Sequence, residues 1–273
     1  MKTQLPFSTI QLLDTPLTTD QKLASFGLTN TLLNVTAEVN TPLIHFWTLP
    51  PTLILGLKDR HLYDLPAGLA TATENGYDHF LRNSGGLAVV SDGGILNVSL
   101  FVPQTVTHYS VDAGYELMKS LVHLTFPTLT IESYEITRSY CPGDYDLSVD
   151  GKKIAGISQR RTANALVVMA YISVTGDQQF RGRMVRDFYE TGLAGQANDW
   201  DFPDVDPSSM INVADAMHQP LTVAEVKSGM VNALQEDQFK IDTTSLPERL
   251  ATPAFQTQYT KELARISKRQ AGI

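Results

Sequence analysis

The pair Asp150-Gly151, set between two runs of β-compatible residues, is the sequence feature that most constrains how this chain folds. Leu147-Ser148-Val149 precedes the pair and Lys152-Lys153-Ile154-Ala155 follows it. An Asp-Gly pair in this position favours a type I′ turn, because both central residues of that turn have a positive φ. The sequence therefore predicts a β-hairpin. Since strand side chains alternate between two faces, one of the two lysines should point inward.

The rest of the chain reads as a helix, a strand-rich middle and a helical end. Apolar residues recur at the helical period near the start, and short β-compatible runs bounded by turn residues follow. This order predicts an α+β fold with a mixed or antiparallel sheet flanked by helices, and not a regular βαβ array. The predicted strands are 43–48, 52–57, three adjacent runs within 79–102, 129–137 and 163–174, and the predicted helices are 23–35, 66–75, 111–124, 184–189, 222–237 and 253–269.

Composition excludes several classes of protein. The chain has 273 residues, of which 42% are hydrophobic and 18% charged, as in an ordinary globular protein. Its one cysteine, Cys141, excludes an intramolecular disulfide and a cysteine-based zinc cluster. The N-terminus lacks the apolar region of a signal peptide, and no apolar stretch is long enough for a membrane helix, so we expect a cytoplasmic protein without a membrane partner. The net charge of −8 argues against nucleic acid as a partner.

Cys141 is the first candidate for chemistry. The sequence around it, Ser139 to Asp144, reads as a turn, and turns lie at the surface. A free cysteine is often a small buried hydrophobe, and that interpretation stays open beside the functional one. On a loop, a thiol is useful mainly as a nucleophile, which needs a nearby cation or N–H groups to become a thiolate. The lysine pair after the hairpin turn could supply the cation, although exposed hairpin lysines are the simpler interpretation.

The segment Ser84-Gly85-Gly86, preceded by Arg82, is the second candidate. Paired glycines let a backbone approach a ligand closely and present N–H groups to a carbonyl or a phosphate. A plain β-turn is the alternative. The six histidines show no zinc-ligand spacing, and the sequence contains no P-loop, dinucleotide-binding fingerprint or G-x-S-x-G motif.

Positive charge is concentrated in one stretch of this acidic chain. Positions 152–186 contain seven basic residues and a single acidic one, Asp177, which gives this stretch a net charge of +6. A solvated face explains part of this excess, but the asymmetry also predicts a docking surface for an acidic partner. The basic residues are Lys152, Lys153, Arg160, Arg161, Arg181, Arg183 and Arg186.

Two segments resemble the lipoate/biotin protein ligase superfamily. Residues 82–90, R-N-S-G-G-L-A-V-V, resemble its R-x-[ST]-G-G-x-A-V segment. Residues 146–160, D-L-S-V-D-G-K-K-I-A-G-I-S-Q-R, resemble its second block, which is more specific. The similarity covers about residues 40–225. It implies the catalytic-domain fold of that superfamily, in a single catalytic domain over 1–273 with a helical C-terminal segment at about 226–273.

Three chemistries occur in the superfamily. ATP-dependent ligases form a lipoyl-adenylate, octanoyltransferases take octanoate from acyl carrier protein, and amidotransferases move octanoyl from the glycine cleavage H protein. The ligases usually carry a histidine after G-G-x-A-V, where this chain has Ser91-Asp92, and they need no nucleophilic cysteine. The thiol upstream of the G-K-K block, together with Gly176-Asp177-Gln178 and Arg181-Gly182, most resembles the amidotransferases.

This resemblance implies octanoyl-[GcvH]:protein N-octanoyltransferase activity in lipoate biosynthesis. An octanoyl or lipoyl group would pass from a lysine of the glycine cleavage H protein to lysines of the lipoyl domains of 2-oxoacid dehydrogenases. Cys141 would carry it as a thioester, and Lys153 would favour the thiolate and steer the carbonyl or the incoming amine. No cofactor and no metal is implied. The implied substrate-binding residues are Arg82, Ser84, Gly85, Gly86 and Gly156.

Other functions remain open at this stage. They are transfer of octanoate from acyl carrier protein, ATP-dependent lipoate ligation, and a non-catalytic module that binds acyl carriers. Lipoyl-carrying domains tend to be acidic, which agrees with a basic docking surface.

Overall fold

The computed structural model describes residues 5–105 and 107–273. In these ranges the strands are β1 (Thr9–Pro16), β2 (Leu43–Thr48), β3 (Thr52–Leu55), β4 (Asp78–Leu81), β5 (Val89–Ser91), β6 (Ile95–Pro103), β7 (Glu132–Ser133), β8 (Leu147–Val149), β9 (Lys152–Arg161), β10 (Ala165–Ser173) and β11 (Lys240–Asp242). The α-helices are α1 (Ala24–Val39), α2 (Leu65–Glu74), α3 (Val111–Thr125), α4 (Gln178–Leu193), α5 (Val213–Ala216), α6 (Val223–Glu236), α7 (Ser245–Leu250) and α8 (Pro253–Lys268). Short 3₁₀ turns span Thr19–Gln21, Leu57–His61 and Pro207–Ser209.

Two sheets organise the molecule. The larger has eight strands in the order β11-β1-β2-β6-β10-β9-β8-β7, and the smaller has three in the order β4-β3-β5. Strand β1 runs parallel to β2 and β11, whereas the other pairs of the larger sheet are antiparallel. In the smaller sheet β3 is parallel to β4 and antiparallel to β5. The predicted α+β class with a mixed sheet is confirmed.

Helices cover both faces of the larger sheet. On one face α3 and α6 pack against β6 and β10 in the largest apolar cluster. On the other face α1 and Phe255 of α8 pack against Leu43, Phe101 and Val167. Every residue of β6 is buried, because a strand covered on both sides has no solvent face. Helices α2 and α4 pack around the smaller sheet.

The hairpin follows its prediction. Asp150 and Gly151 have φ angles of 48° and 74°, the positive values that the type I′ turn requires. Lys152 is exposed, while Lys153 is only 1% exposed and points inward. A β-bulge shifts the register just beyond the turn, since Ser148 pairs with Lys153 but Leu147 pairs with Ala155.

Several predicted elements differ from the structure. The strand predicted at 129–137 is reduced to β7, because the amide of Ile136 is bonded to the Asp146 side chain instead of a neighbouring strand. The three runs within 79–102 are not adjacent strands: β4 and β5 flank β3, and β6 belongs to the larger sheet. Strand β1 was not predicted. The C-terminal segment predicted as helical also contains β11, which pairs with β1.

The basic residues of positions 152–186 do not form one exposed surface. Arg181 is 2% exposed, and its guanidinium bonds both carboxylate oxygens of Asp92 at 2.6 and 2.7 Å. Lys153 is buried as well. Arg183 and Arg186 pair with acidic neighbours on or next to α4. Lys153 and Arg181 therefore cannot belong to the predicted basic docking surface, because both side chains lie inside the protein. None of the helices in the described ranges combines the length and apolar character that a membrane span needs.

The ion pair between Arg181 and Asp92 provides a test of this arrangement. Arg181→Met should lower the free energy of unfolding by about 3–5 kcal/mol, because it leaves a buried carboxylate without its partner. Arg183→Met, two positions along α4, should have little effect, since its side chain is 48% exposed and lies 3.9 Å from Asp177. Denaturant titration of both variants measures the difference. Similar losses at the two positions would contradict the assignment of Arg181 to the interior.

Candidate active site

A cavity of about 370 Å³ opens between the two sheets beside Cys141. Its apolar wall includes Phe26, Trp47, Ile54, Val89, Val98 and Met169. Six of the seven predicted site residues line it, namely Arg82, Ser84, Gly85, Gly86, Cys141 and Gly156. The seventh, Lys153, lies directly behind the Cys141 loop. The structure thus brings together residues that are more than 50 positions apart in the sequence. A second, more open depression of about 540 Å³ near Lys152 and Gln179 contains none of them.

The Cys141 thiol meets a cation and an amide. Its Sγ lies 3.8 Å from Nη2 of Arg82 and 3.5 Å from the backbone nitrogen of Leu87. The Arg82 guanidinium is fixed in place because Nε and Nη2 both donate to the carbonyl of Gly85, at 3.2 and 2.8 Å. A positive charge and an N–H group are the surroundings that favour a thiolate. Sequence reasoning assigned the activating charge to Lys153, whereas the cation in contact with the sulfur is Arg82.

Lys153 instead holds the loop that carries the thiol. Its Nζ donates to Ser139 Oγ at 3.1 Å, to the carbonyl of Tyr140 at 3.1 Å and to the carbonyl of Cys141 at 2.9 Å. It also pairs with Asp146 at 2.9 Å. An ammonium has three protons, so four acceptor oxygens satisfy all of them, with at least one proton shared between two oxygens. Cys141 itself has a φ of 48°, a left-handed conformation that a non-glycine residue keeps only when its surroundings enforce it.

Asp146 completes this arrangement from the start of the second sequence block. Its side chain is almost fully buried and accepts N–H bonds from Ile136 and Gly143, both at 3.3 Å, besides the Lys153 ammonium. Burial raises the pKa of Asp146, although the charge of Lys153 and the hydrogen bonds oppose the rise. Asp146 was quoted in the predicted motif but was not assigned a role. It ties the turn after Cys141 to the hairpin.

The glycines allow close approach at three places. A Cβ on Gly86, whose φ is 82°, would lie 2.7 Å from the Arg82 guanidinium and 3.4 Å from the sulfur. A Cβ on Gly56 would lie 2.0 Å from the Gly86 carbonyl oxygen, so the turn after β3 touches the loop of residues 82–88, the glycine-rich loop. A Cβ on Gly156 would lie 2.8 Å from the Tyr171 ring. Gly85 faces open space, which leaves room at the mouth of the cavity.

Sequence reasoning missed a second buried carboxyl behind the glycine-rich loop. Asp59 is 0% exposed and accepts bonds from the Gly56 amide at 2.8 Å and from the Tyr189 hydroxyl at 2.9 Å. Burial raises its pKa to about 7, against the opposing effect of these bonds and of the charges of Arg82 and Lys58. The sequence offered one signal for this carboxyl: Asp59 comes three positions after Gly56, the glycine that follows an apolar strand. Its partner Tyr189 is 130 residues away.

No group of three or more metal-binding side chains converges within the described ranges. The site consists instead of a thiol, a guanidinium and backbone amides at the mouth of an apolar cavity. Such a set can stabilise a thiolate and bind an apolar chain next to it.

Comparisons with known proteins place the chain among acyl-transfer and ligase proteins. Residues 22–235 match the family described as the lipoyl protein ligase A/B catalytic domain. The octanoyl-[GcvH]:protein N-octanoyltransferase of Oceanobacillus iheyensis is 39% identical over 217 residues, which cover 78% of this chain and 77% of that protein. The lipoyl-[GcvH]:protein N-lipoyltransferase of Listeria monocytogenes is 38% identical over 216 residues, or 78% of each chain.

The fold is also found in a solved structure. A crystal structure of lipoate-protein ligase A bound with ATP superposes with a TM-score of 0.68 over 94% of both chains, at 17% sequence identity. Identity this low shows a common fold and nothing about the reaction. The match over residues 22–235 and the identity to relatives of similar length establish the family: this chain belongs to the lipoyl protein ligase A/B catalytic domain family.

Proposed function

We propose that this protein is an acyltransferase that moves an octanoyl or lipoyl group between lysines of carrier proteins through a thioester on Cys141. The donor is the glycine cleavage H protein, and the acceptors are the lipoyl domains of 2-oxoacid dehydrogenases. The names of the relatives from Oceanobacillus iheyensis and Listeria monocytogenes support this donor. One observation carries the proposal: the Cys141 sulfur contacts Arg82 and the Leu87 amide at the mouth of an apolar cavity.

The cavity suits a medium-length acyl chain. Its wall is formed largely by apolar side chains, and burial of each methylene group contributes about 0.8 kcal/mol to binding. The chain would lie along Ile54, Val98 and Met169, with its carbonyl at the sulfur. Ser84, Gly85 and Gly86 line the mouth between the acyl group and the solvent.

The reaction has two balanced steps. The Cys141 sulfur attacks the carbonyl carbon of the acyl-lysine amide, a C–S bond forms, and the C–N bond breaks. The proton of the thiol ends on the departing lysine amine. A lysine amine of the acceptor then attacks the thioester, an amide forms, and the sulfur regains a proton. Covalent catalysis of this kind replaces one difficult exchange by two easier ones.

Arg82 and Lys153 have different roles in this proposal. Arg82 stabilises the negative charge on sulfur, because its guanidinium is in contact with Sγ. Lys153 is a positioning residue, since its protons hold the carbonyl groups of Tyr140 and Cys141 and thereby enforce the left-handed backbone at the nucleophile. A strained conformation of this kind costs about 1–3 kcal/mol and persists only where it is held.

We also propose that the described chain works as a single catalytic domain. Just beyond α8, the Gln270 side chain bonds the amide and the carbonyl of Leu81 at the edge of the smaller sheet, both at 2.9 Å. A Cβ on Gly27 of α1 would lie 3.2 Å from Tyr259 of α8. The C-terminal segment therefore supports both helix α1 and the smaller sheet, which contribute to the wall of the cavity.

The thioester can be tested directly. Incubation with the octanoylated H protein should add one octanoyl mass to the protein, and addition of a lipoyl domain should remove it. Cys141→Ser should abolish turnover, because a hydroxyl is a much weaker nucleophile than a thiolate at neutral pH. Mass spectrometry of the intact protein measures the adduct, and circular dichroism checks that the variant is folded.

Each of the other outcomes would indicate a different function for this protein. Full transfer activity in Cys141→Ser would exclude the thioester. An adduct formed only from octanoyl-acyl carrier protein would change the donor. Formation of an acyl-adenylate from ATP and free lipoate would indicate a ligase. Carrier binding without any adduct or transfer would indicate a non-enzymatic module.

The two lysines of the hairpin provide a matched pair of variants. Lys153→Met should slow acylation of Cys141 by about 100-fold, because displacement of a reacting group by about 1 Å has an effect of this size. Lys152→Met should have little effect, since Lys152 is exposed on the opposite face of β9. Single-turnover acylation under saturating donor measures both rates.

A double variant distinguishes an effect of Lys153 on stability from an effect on the position of the Cys141 thiol. Lys153→Met alone leaves Asp146 buried without its partner. Asp146→Leu combined with Lys153→Met removes both charges and should recover part of the free energy of unfolding. If the double variant also recovers acylation, Lys153 acts only on stability and the positioning role is wrong.

A further inference from the structure

Asp59 and Tyr189 form a buried link to the loop beside the thiol. Asp59 lies in the 3₁₀ turn after β3 and Tyr189 lies on α4, and neither residue lines the cavity. Asp59 Oδ2 accepts the Gly56 N–H at 2.8 Å, and Oδ1 accepts the Tyr189 hydroxyl proton at 2.9 Å. Both residues are at most 2% exposed, so solvent does not compete for these bonds.

The link continues to the amide that faces the sulfur. The Tyr189 oxygen accepts the N–H of Ala88 at 2.8 Å, and the preceding amide, that of Leu87, points at Cys141 Sγ. The turn that contains Asp59 also holds the start of the same loop, through the bond from the Leu57 amide to the Ser84 carbonyl at 3.2 Å. The orientation of the Leu87 N–H is therefore fixed from both ends by this network.

Both oxygens of Asp59 accept hydrogen bonds, an arrangement that favours the ionised carboxylate. Burial raises the pKa of Tyr189 well above its usual value, so its hydroxyl keeps a proton. That proton needs an acceptor, because the Tyr189 oxygen already receives the Ala88 N–H. An ionised Asp59 accepts from both donors, whereas a protonated Asp59 carries an O–H that competes with either the Gly56 N–H or the Tyr189 hydroxyl and so weakens the network.

Asp59 changes its charge near neutral pH. Burial raises its pKa to about 7, so the carboxyl is protonated below this pH and ionised above it. The charged and titratable groups that face it are Lys58 on its own turn, Arg82 after β4 and Tyr189 on α4, and both cations favour the ionised form. The complete network is therefore present above about pH 7 and is lost below it.

We propose that Asp59 is a positioning residue for acyl transfer, which in its ionised form holds the Leu87 N–H at the Cys141 sulfur through Tyr189 and the Ala88 amide. The inference rests on the proposed thioester function and adds a pH-dependent element to it. Neither Asp59 nor Tyr189 touches the reacting atoms. Their effect is on how the amide and the sulfur are held when the tetrahedral intermediate forms.

The test is the pH dependence of single-turnover acylation with saturating octanoylated H protein. Asp59→Asn mimics the protonated carboxyl, because one acceptor oxygen becomes a donor. At about pH 8.5 the variant should be slower than the parent by about tenfold, the equivalent of one net hydrogen bond. At about pH 6 the two rates should converge, since the parent is then protonated as well.

Tyr189→Phe removes the linking hydroxyl and should give the same flattened pH profile. Tyr189→Phe replaces Asp59→Asn in the test if Asp59→Asn does not fold. The combination of both changes should be no slower than either one, because they break the same chain of bonds. Tyr77→Phe is the matched control: Tyr77 donates a buried hydroxyl bond to Asp92 at 2.8 Å, away from the glycine-rich loop. It should lose stability but keep the pH profile of the parent.

The outcomes separate this inference from the proposed function. If the parent acylates Cys141 but Asp59→Asn and Tyr189→Phe keep its pH profile, the positioning role is overturned and the thioester stands. If Tyr77→Phe flattens the profile equally, the effect is general destabilisation and the inference is wrong. If the parent forms no thioester at all, the proposed function fails, and the inference fails with it.

Discussion

The buried ammonium of Lys153 connects the β8–β9 hairpin to the loop that carries Cys141. A lysine this deeply buried is stable only when every proton has an acceptor, and here the loop supplies three oxygens and Asp146 the fourth. The requirement acts in both directions. The loop carbonyls stabilise the buried Lys153 ammonium, and the ammonium in turn holds the left-handed backbone at Cys141. The place of the thiol therefore depends on the register of the hairpin.

The opposite side of the thiol is formed by the smaller sheet. Close contact between Gly56 and Gly86 brings the turn after β3 against the glycine-rich loop, and Arg82 is fixed by the carbonyl of Gly85. The sulfur lies where these two halves meet. One half supplies the thiol, and the other supplies the guanidinium and the amide. The cavity between them takes its apolar wall from both sheets, so it exists only when both are assembled.

Local sequence signals predicted a large part of the fold. The Asp150-Gly151 turn, the helix predicted at 222–237, which Thr222 caps, and the strands predicted at 43–48 and 163–174 were all visible in the sequence. These signals reflect φ preferences, side-chain caps and hydrophobic periodicity, which act over a few residues. Strands β1 and β11 were missed because neither has a strong pattern of its own, and each is stabilised by a partner far away in the chain.

The sequence by itself determined the α+β class, the inward lysine, the glycine-rich loop, the thiol in a turn and a resemblance to the right superfamily. Only the tertiary structure decided that Arg82 meets the sulfur, that Lys153 binds backbone carbonyls, that Arg181 lies inside the protein and that Asp59 reaches the loop through Tyr189. The physical reason is distance along the chain. Turn geometry and strand alternation are properties of neighbouring residues, whereas the partner of a charge depends on how two sheets and a helix pack, which no short segment encodes.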